Sequence, residues 1–313
     1  MKKVTELIKK AKSAVLLPHI SADADALASC KAMQAVLDSL GISSVIYLED
    51  KAERRLDFIA EGAEVYNGES VEFDTCIVLD CGDMERVGKR ANLVNSAKSV
   101  VVIDHHKTNK GFGDACLVMP DASATGEVLF LLFKNMGITI TAETAKYLYT
   151  AICSDTGGFA YSNVSSETFK IAAELVGYNI NHAEISRLLF DCVDIDEELL
   201  KAELIKNIKS HYDGRIRTVA VTHEFASRFG VSTEEIDGIV DIPRRIRGTE
   251  IAVALKEING KIRVSIRSNG DADVSKVALK FDGGGHIKAA GCSIYDDIVT
   301  AESLIVEACG EVL

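Results

Sequence analysis

The chain has 313 residues, 47% of them hydrophobic, enough for two domains that each bury a core. A formal net charge of −12 excludes a protein that coats long nucleic-acid duplexes, because such proteins neutralise many phosphates with Lys and Arg. No apolar run is long enough for a signal peptide or a transmembrane helix, and none of the eight cysteines forms a Cys-x-x-Cys pair; neither a zinc knot nor a membrane-spanning helix is expected, and a reducing, cytoplasmic setting is.

Strand and helix patterns alternate through the first 110 residues. Ala14–Leu17 reads as a short apolar strand and Asp25–Leu40 as a helix stopped by Gly41. Ser44–Leu48 and Thr75–Leu79 read as strands, Glu85–Ala97 as a helix, and Val100–Ile103 as a β-branched strand that stops at Asp104. Repeated βα units imply a parallel sheet with helices on both faces, a three-layer α/β domain. Ligands of such sheets bind at the carboxyl ends of the strands. From Ser123 the spacing turns helical: Ser123–Met136, stopped by Gly137, then Ala142–Cys153, Glu167–Leu175 and Ala183–Phe190. The apolar run Val128–Phe133 suits either core packing or the face of a homodimer. Glu197–Lys209 is a charged helix suited to bridging two domains. Beyond Gly214 the texture is strand-rich, with Ile216–Thr222, Glu250–Ile258 and Lys261–Arg267, the last two joined by the hairpin turn Asn259-Gly260. The expected organisation is a catalytic domain over 1–190, a helical linker over 191–210 and a smaller α/β domain with a mixed sheet over 211–313. The active site is expected in the cleft between the domains.

Four clusters of acids and histidines punctuate the first half: His19-x3-Asp23-x-Asp25, Asp80, Asp104-His105-His106 and Asp155. Three of them follow an apolar strand. In extended backbone Asp23 and Asp25 point the same way, one carboxylate for each of two neighbouring metals; Asp25 taken alone is more often a helix cap. Asp83 is the more obvious cap after the strand, which leaves Asp80 without that role. Two adjacent imidazoles after VVVI are hard to explain by packing. One can face a metal while the other faces a substrate, with Asp104 orienting a ligand. The glycines after Asp155 let backbone approach a ligand closely. A pair of cations in such a site binds a phosphate and generates a hydroxide beside it. In the second half Phe281-Asp282-Gly283-Gly284-Gly285-His286 is expected to open a helix over IKAAG. Glycines before a helix expose N–H groups to an anion, and Arg267-Ser268 adds a forked cation. Between Arg215 and Lys288, 13 Arg and Lys face 10 Asp and Glu, a local reversal of sign that suits an anionic ligand.

Together these motifs resemble the DHH phosphoesterase superfamily, and the second half resembles its DHH-associated C-terminal domain, in the arrangement of the NrnA-type bifunctional oligoribonucleases and pAp phosphatases. The resemblance covers nearly the whole chain. It implies that His19, Asp23 and Asp80 hold one cation and that Asp25, Asp80, His105 and Asp155 hold a second, with Asp80 bridging. Manganese is the ion it implies. It also implies that Arg267 and His286 hold the substrate's phosphate or base, with Ser268 and Gly283, Gly284 and Gly285 beside them. Two positions depart from the family: Ala24 where glycine is common, and Asp282 where a fourth glycine is.

The activity so implied is metal-dependent hydrolysis of short oligoribonucleotides, dinucleotides and 3′-phosphoadenosine 5′-phosphate (pAp), with Asp80 and Asp104 in the catalytic group and His106 acting near the leaving oxygen. A cyclic di-AMP phosphodiesterase would use the same machinery. An inorganic pyrophosphatase resembles only the metal domain, and the triple glycine with His286 speaks against it. A non-enzymatic nucleotide sensor is disfavoured because all six expected ligands are present.

Overall fold

The structure is a computed structural model of the chain and describes every residue except Asp194, Glu235 and Asp237. Asp194, within the expected linker, thus lies outside the described residues. The chain divides into two compact units, Met1–Cys192 and Val193–Leu313.

The first unit opens with helix α1 (Lys2–Lys10), which the lysine-rich N-terminus concealed: Val4 and Ile8 bury one side while the lysines ring the other. Strand β1 (Ser13–Leu17), helix α2 (Ala24–Ser39) and strand β2 (Ser43–Leu48) follow. A short helix α3 (Asp57–Ala60) leads to β3 (Ala63–Val65), then β4 (Thr75–Leu79), α4 (Ala91–Ser96), β5 (Ser99–Asp104) and β6 (Ala115–Val118). The six strands form one sheet in the order β3-β2-β1-β4-β5-β6, with every pairing parallel. Because β4 returns to the far side of β1, the strand order reverses between these two. In open α/β sheets that reversal is where a crevice opens at the carboxyl ends of the strands.

Four helices complete the unit: α5 (Thr125–Met136), α6 (Ala142–Asp155), α7 (Ser166–Val176) and α8 (His182–Phe190). Alternate strand residues serve two cores, as the pleat requires. Leu16, Ile77, Leu79 and Ile103 pack with α2, α5 and α6 on one face. Val15, Leu17, Val78 and Val102 pack with Val87, Leu93 and Val94 on the other. This is the expected three-layer parallel architecture, and burial on both faces explains why β4 runs apolar from Cys76 to Leu79. Of the apolar run Val128–Phe133, all but half-buried Leu131 lie buried in the first core, so core packing accounts for it. The start of α5 is held by buried Glu127, which accepts from Ser123 Oγ at 2.6 Å and Thr168 Oγ1 at 2.9 Å.

The second unit contains α9 (Ile195–Lys206), β7 (Lys209–His211), β8 (Ile216–Val221), α10 (His223–Ser227), α11 (Asp241–Arg244), β9 (Ile251–Ile258), β10 (Lys261–Ser268), α12 (Val274–Leu279), β11 (Gly284–His286), β12 (Ala289–Ile294) and α13 (Ile298–Gly310). Its sheet runs β11-β12-β10-β9-β8-β7, mixed because β8 and β9 are parallel while the other pairs are antiparallel. Helix α9 packs Leu200 and Leu204 onto this sheet with Val219, Val221 and Phe225. Asn259 and Gly260 make the expected hairpin turn, both at positive φ (49° and 76°).

Two sequence expectations fail for the same kind of reason. The helix read over Glu85–Ala97 is broken at Gly88 (φ 67°), where a Cβ would stand 2.6 Å from Ile20 Cγ2 and 2.8 Å from Glu49 Oε2. The helix read after the glycine run is instead a hairpin, β11 paired antiparallel with β12. A Cβ on Gly283 would collide with the Gly291 carbonyl oxygen, and one on Gly285 (φ 143°) would lie 2.5 Å from that of Ala289. These glycines let two backbones approach; they do not form a helix N-terminus.

Close approach also governs α5 against α6, where a Cβ at Gly126 would meet Ala151 Cβ at 2.5 Å and the Leu148 carbonyl at 3.1 Å. Gly126→Ala is therefore expected to lower unfolding free energy by about 1–3 kcal/mol through overpacking. Urea unfolding measures it; an unmoved midpoint would mean the two helices are not in contact there.

Candidate metal centre

The carboxyl ends of β1, β4 and β5 deliver the first three clusters, and the end of α6 delivers the fourth. Helix α2 is capped by Asp23, which accepts from the Ala26 amide at 3.0 Å. Asp25 therefore lies in the first helical turn, not in extended backbone as expected, and the cap is Asp23. Asp25 is buried and held by three donors: the amides of Thr125 (2.8 Å) and Gly126 (3.1 Å) and the hydroxyl of Ser29 (3.1 Å). The N-terminus of α5 thus points at this carboxylate, an arrangement that favours negative charge. Ala24 is the first helical residue and buried.

Asp80 follows β4 in a left-handed conformation, φ 55°, which a non-glycine residue adopts only where its surroundings enforce it. Its amide donates to the Ile103 carbonyl at 3.0 Å and its Oδ1 accepts from Thr125 Oγ1 at 2.8 Å. The bend carries the buried carboxylate into the centre of the cluster.

The histidines converge on it. His19 Nδ1 lies 2.6 Å from the Ile20 carbonyl, which assigns the proton to Nδ1 and leaves Nε2 facing Asp23 (3.6 Å) and Asp80 (3.7 Å). His105 Nδ1 is 3.2 Å from the Ala122 carbonyl, and its Nε2 faces Asp80 and Asp155 at 3.6 Å and Asp25 at 4.0 Å. His106 differs. Its Nδ1 is bonded to Asp104 Oδ1 at 2.7 Å, so that nitrogen is a donor and, although 3.6 Å from Asp80, is poorly placed to ligate. Fully buried Asp104 also accepts from the amides of His105 and His106 and from Asn109 Nδ2 at 2.7 Å. Asn109 and Thr125 escaped sequence reading, since neither stands in a pattern that marks it.

Donor atoms of His19, Asp23 and Asp80 lie within 4.8 Å of one another, as do those of Asp25, His105 and Asp155, and those of Asp80, His105 and His106. All six residues expected as ligands are thus brought together, with Asp80 shared between groups. Electrostatics supply the test of whether cations fit. Burial, then the neighbouring carboxylates of Asp80, Asp155 and Asp23, push Asp25 well above the ordinary range. Burial and Asp23 push Asp80 up to about 6, and burial raises Asp155. Carboxylates that resist ionisation because of one another, ringed by imidazole lone pairs, fit divalent cations, and the mixed oxygen and nitrogen donors suit a first-row ion. Burial opposes ionisation of Asp23 and Asp104 too, but hydrogen bonds outweigh it, with His19 and Ala26 for Asp23 and with His106 and Asn109 for Asp104, and both are lowered. The bond to Asp104 raises His106.

In the second unit Arg267 and Gly283, Gly284 and Gly285 line a cleft of about 930 Å³ with Arg263, Phe281 and Tyr295. Ser268 is buried with its hydroxyl on the Gly270 carbonyl at 3.2 Å, and His286 is exposed at the end of β11; neither lines that cleft. Asp282 has φ 53°, a conformation that glycine takes freely and that Asp tolerates.

Residues 13–152 match the DHH family, N-terminal domain, and residues 218–311 match the DHHA1 domain. The bifunctional oligoribonuclease and PAP phosphatase NrnA of Thermus thermophilus is 30% identical, over 100% of this chain and 94% of its own length. An exopolyphosphatase-related protein from Bacteroides fragilis superposes with a TM-score of 0.87 at 25% identity, over 99% of this chain and 95% of that one. Exonuclease RecJ bound to manganese shares the fold, with a TM-score of 0.51 at 15% identity over 99% and 94% of the two chains.

Asp25, Asp80 and Asp155 are raised in the folded state, so the folded protein binds protons more tightly than the unfolded chain and loses stability as pH rises through those values. His19, where bonds to Asp23 and Ile20 outweigh burial, and His106 are raised as well and act in the same direction. Asp23 and Asp104 act oppositely, but only below the ordinary carboxylate range. The metal-free protein should therefore melt higher at pH about 5.5 than at pH about 7.5, with saturating divalent cation removing or reversing the difference. Calorimetric scans at both pH values, with and without cation, measure this.

Proposed function

Because this chain belongs to the DHH family, we propose that it is a metal-dependent phosphoesterase acting on short oligoribonucleotides, dinucleotides and pAp. The observation that carries the reading is the sharing of Asp80 among ligand groups at the strand-order reversal. Near-complete coverage of a relative named for those two activities supports the substrate class.

His19, Asp23 and Asp80 would hold one divalent cation, and Asp25, Asp80, His105 and Asp155 the other. When bound, such a pair polarises a phosphate and lowers the pKa of a water beside it. The remaining work belongs to the chain. The amides of α5 and the hydroxyls of Ser29 and Thr125 keep Asp25 and Asp80 aimed inward whatever their protonation. Asp104 fixes the ring of His106 and the proton on Nδ1, so Nε2 is the atom free to hold or deliver a proton at the leaving oxygen. Arg267, with Gly283, Gly284 and Gly285, would bind an anionic group of the substrate. Ser268 and His286 join them on the strength of the family pattern. Manganese is the proposed ion, and the donor set and the manganese held by a protein of the same fold support it. We further propose a cytoplasmic location: all eight cysteines are free thiols, and among the described residues no helix is long and apolar enough to cross a membrane.

Asp80→Ala should lower kcat/KM for both pAp and a diribonucleotide on the order of 10³-fold or more, the scale of removing a part on which the rest of a catalytic unit depends. Assays with manganese measure this. Unchanged turnover of either substrate would dismiss the site, and rapid hydrolysis of pyrophosphate alone would favour a pyrophosphatase instead.

A further inference from the structure

In the first unit the centre is built from histidines and carboxylates, yet one cationic side chain stands beside them. Arg86 lies six residues after Asp80. Its amide donates to Asp83 Oδ1 at 2.9 Å, and its carbonyl accepts from the Ile20 amide at 2.8 Å, tying it to the loop that carries His19. The side chain is half-buried. Its Nη2 stops 3.1 Å from His19 Nδ1, and its charge opposes protonation of His106. The guanidinium therefore lies against His19 and within electrostatic reach of His106.

Its fork is unfilled. Among the described residues no carboxylate forms an ion pair with Arg86, although Asp23, Asp80 and Asp104 each contact one of those two histidines. His19 does not satisfy it either. With the Nδ1 proton directed at Ile20, that nitrogen has no lone pair for a guanidinium N–H. An arginine held by its backbone, beside acids committed to other partners, is a preorganised site for a planar or tetrahedral oxyanion.

We propose that Arg86 is a phosphate-binding residue of this centre, its guanidinium taking non-bridging oxygens of the phosphate that is cleaved. The inference rests on the phosphoesterase reading and adds a protein cation to it. Arginine remains charged throughout and needs no reorganisation as charge grows on those oxygens. It recognises only what pAp and a dinucleotide share, so its loss should affect both alike.

The test compares wild type, Arg86→Ala and Arg86→Lys in full-length protein. Steady-state kinetics use pAp and a diribonucleotide; calorimetry measures manganese binding and then binding of inorganic phosphate to the manganese-loaded protein. Arg86→Ala should lower kcat/KM about 10²-fold for both substrates, weaken phosphate binding and leave manganese affinity unchanged. Arg86→Lys should recover part of the loss, because it restores charge without the fork. A drop in manganese affinity, with full rate regained at high manganese, would overturn the proposal and make Arg86 a positioning residue for His19. Unaltered kinetics and phosphate binding would overturn it too. If wild type turned over neither substrate, the phosphoesterase reading would fail, while phosphate binding would still decide the role of Arg86.

Discussion

Four carboxylates crowd the carboxyl edge of the first sheet, and their mutual repulsion is the constraint around which the rest is arranged. Oxygens of Asp23 and Asp80 lie within 4.8 Å, as do those of Asp25 and Asp155. At about 5 Å and an effective dielectric of about 20, each like-charged pair costs on the order of 3 kcal/mol. Nothing local rewards this. The fold holds the groups there by bonds that tolerate charge: α5 amides on Asp25, a threonine hydroxyl on Asp80, a capping bond on Asp23. Positive charge in the centre turns the same crowding into affinity, and this links the architecture to phosphoester chemistry.

The sheet makes the crowding possible. Reversal of strand order between β1 and β4 opens a gap at their carboxyl ends, and His19 and Asp80 fall into it because each follows its strand within two residues. Helix α5 then serves twice. Its apolar side fills the core through Leu129, Leu132 and Phe133, and its N-terminus faces Asp25. Gly126 reconciles the two roles, since only a residue without a side chain lets α5 lie so close to α6 while offering its amide to the carboxylate. Packing and electrostatics are joined at one residue.

The histidines differ in what their Nδ1 atoms meet. His19 and His105 turn Nδ1 to a carbonyl and present Nε2 to the acids, the arrangement a metal ligand needs. His106 turns Nδ1 to Asp104 instead. Adjacent positions in a strand-end turn diverge, and that is why two neighbouring imidazoles meet different partners. The second unit has a cleft of its own, lined by Arg267 and by glycines that allow backbone approach.

Residue type and order sufficed for the parallel sheet, the Asn259-Gly260 hairpin and the four clusters of acids and histidines, and the resemblance to the DHH superfamily singled out six of their residues as donors. Apolar period and turn chemistry are local properties, and acids placed after buried strands have few other uses. The breaks at Gly88 and at Gly283–Gly285 were not legible, because a glycine's neighbours across space do not appear in its neighbours along the chain. Nor were the parts played by Asn109, Thr125 and Arg86, ordinary residues that matter only through what they meet. Whether Asp25 extends toward a ligand or enters a helix was likewise settled by Asp23 capping α2 and by amides a hundred residues away. Local chemistry can nominate donors; the packing of distant helices and strands decides their distance, tautomer and charge, since those depend on atoms that only folding brings near.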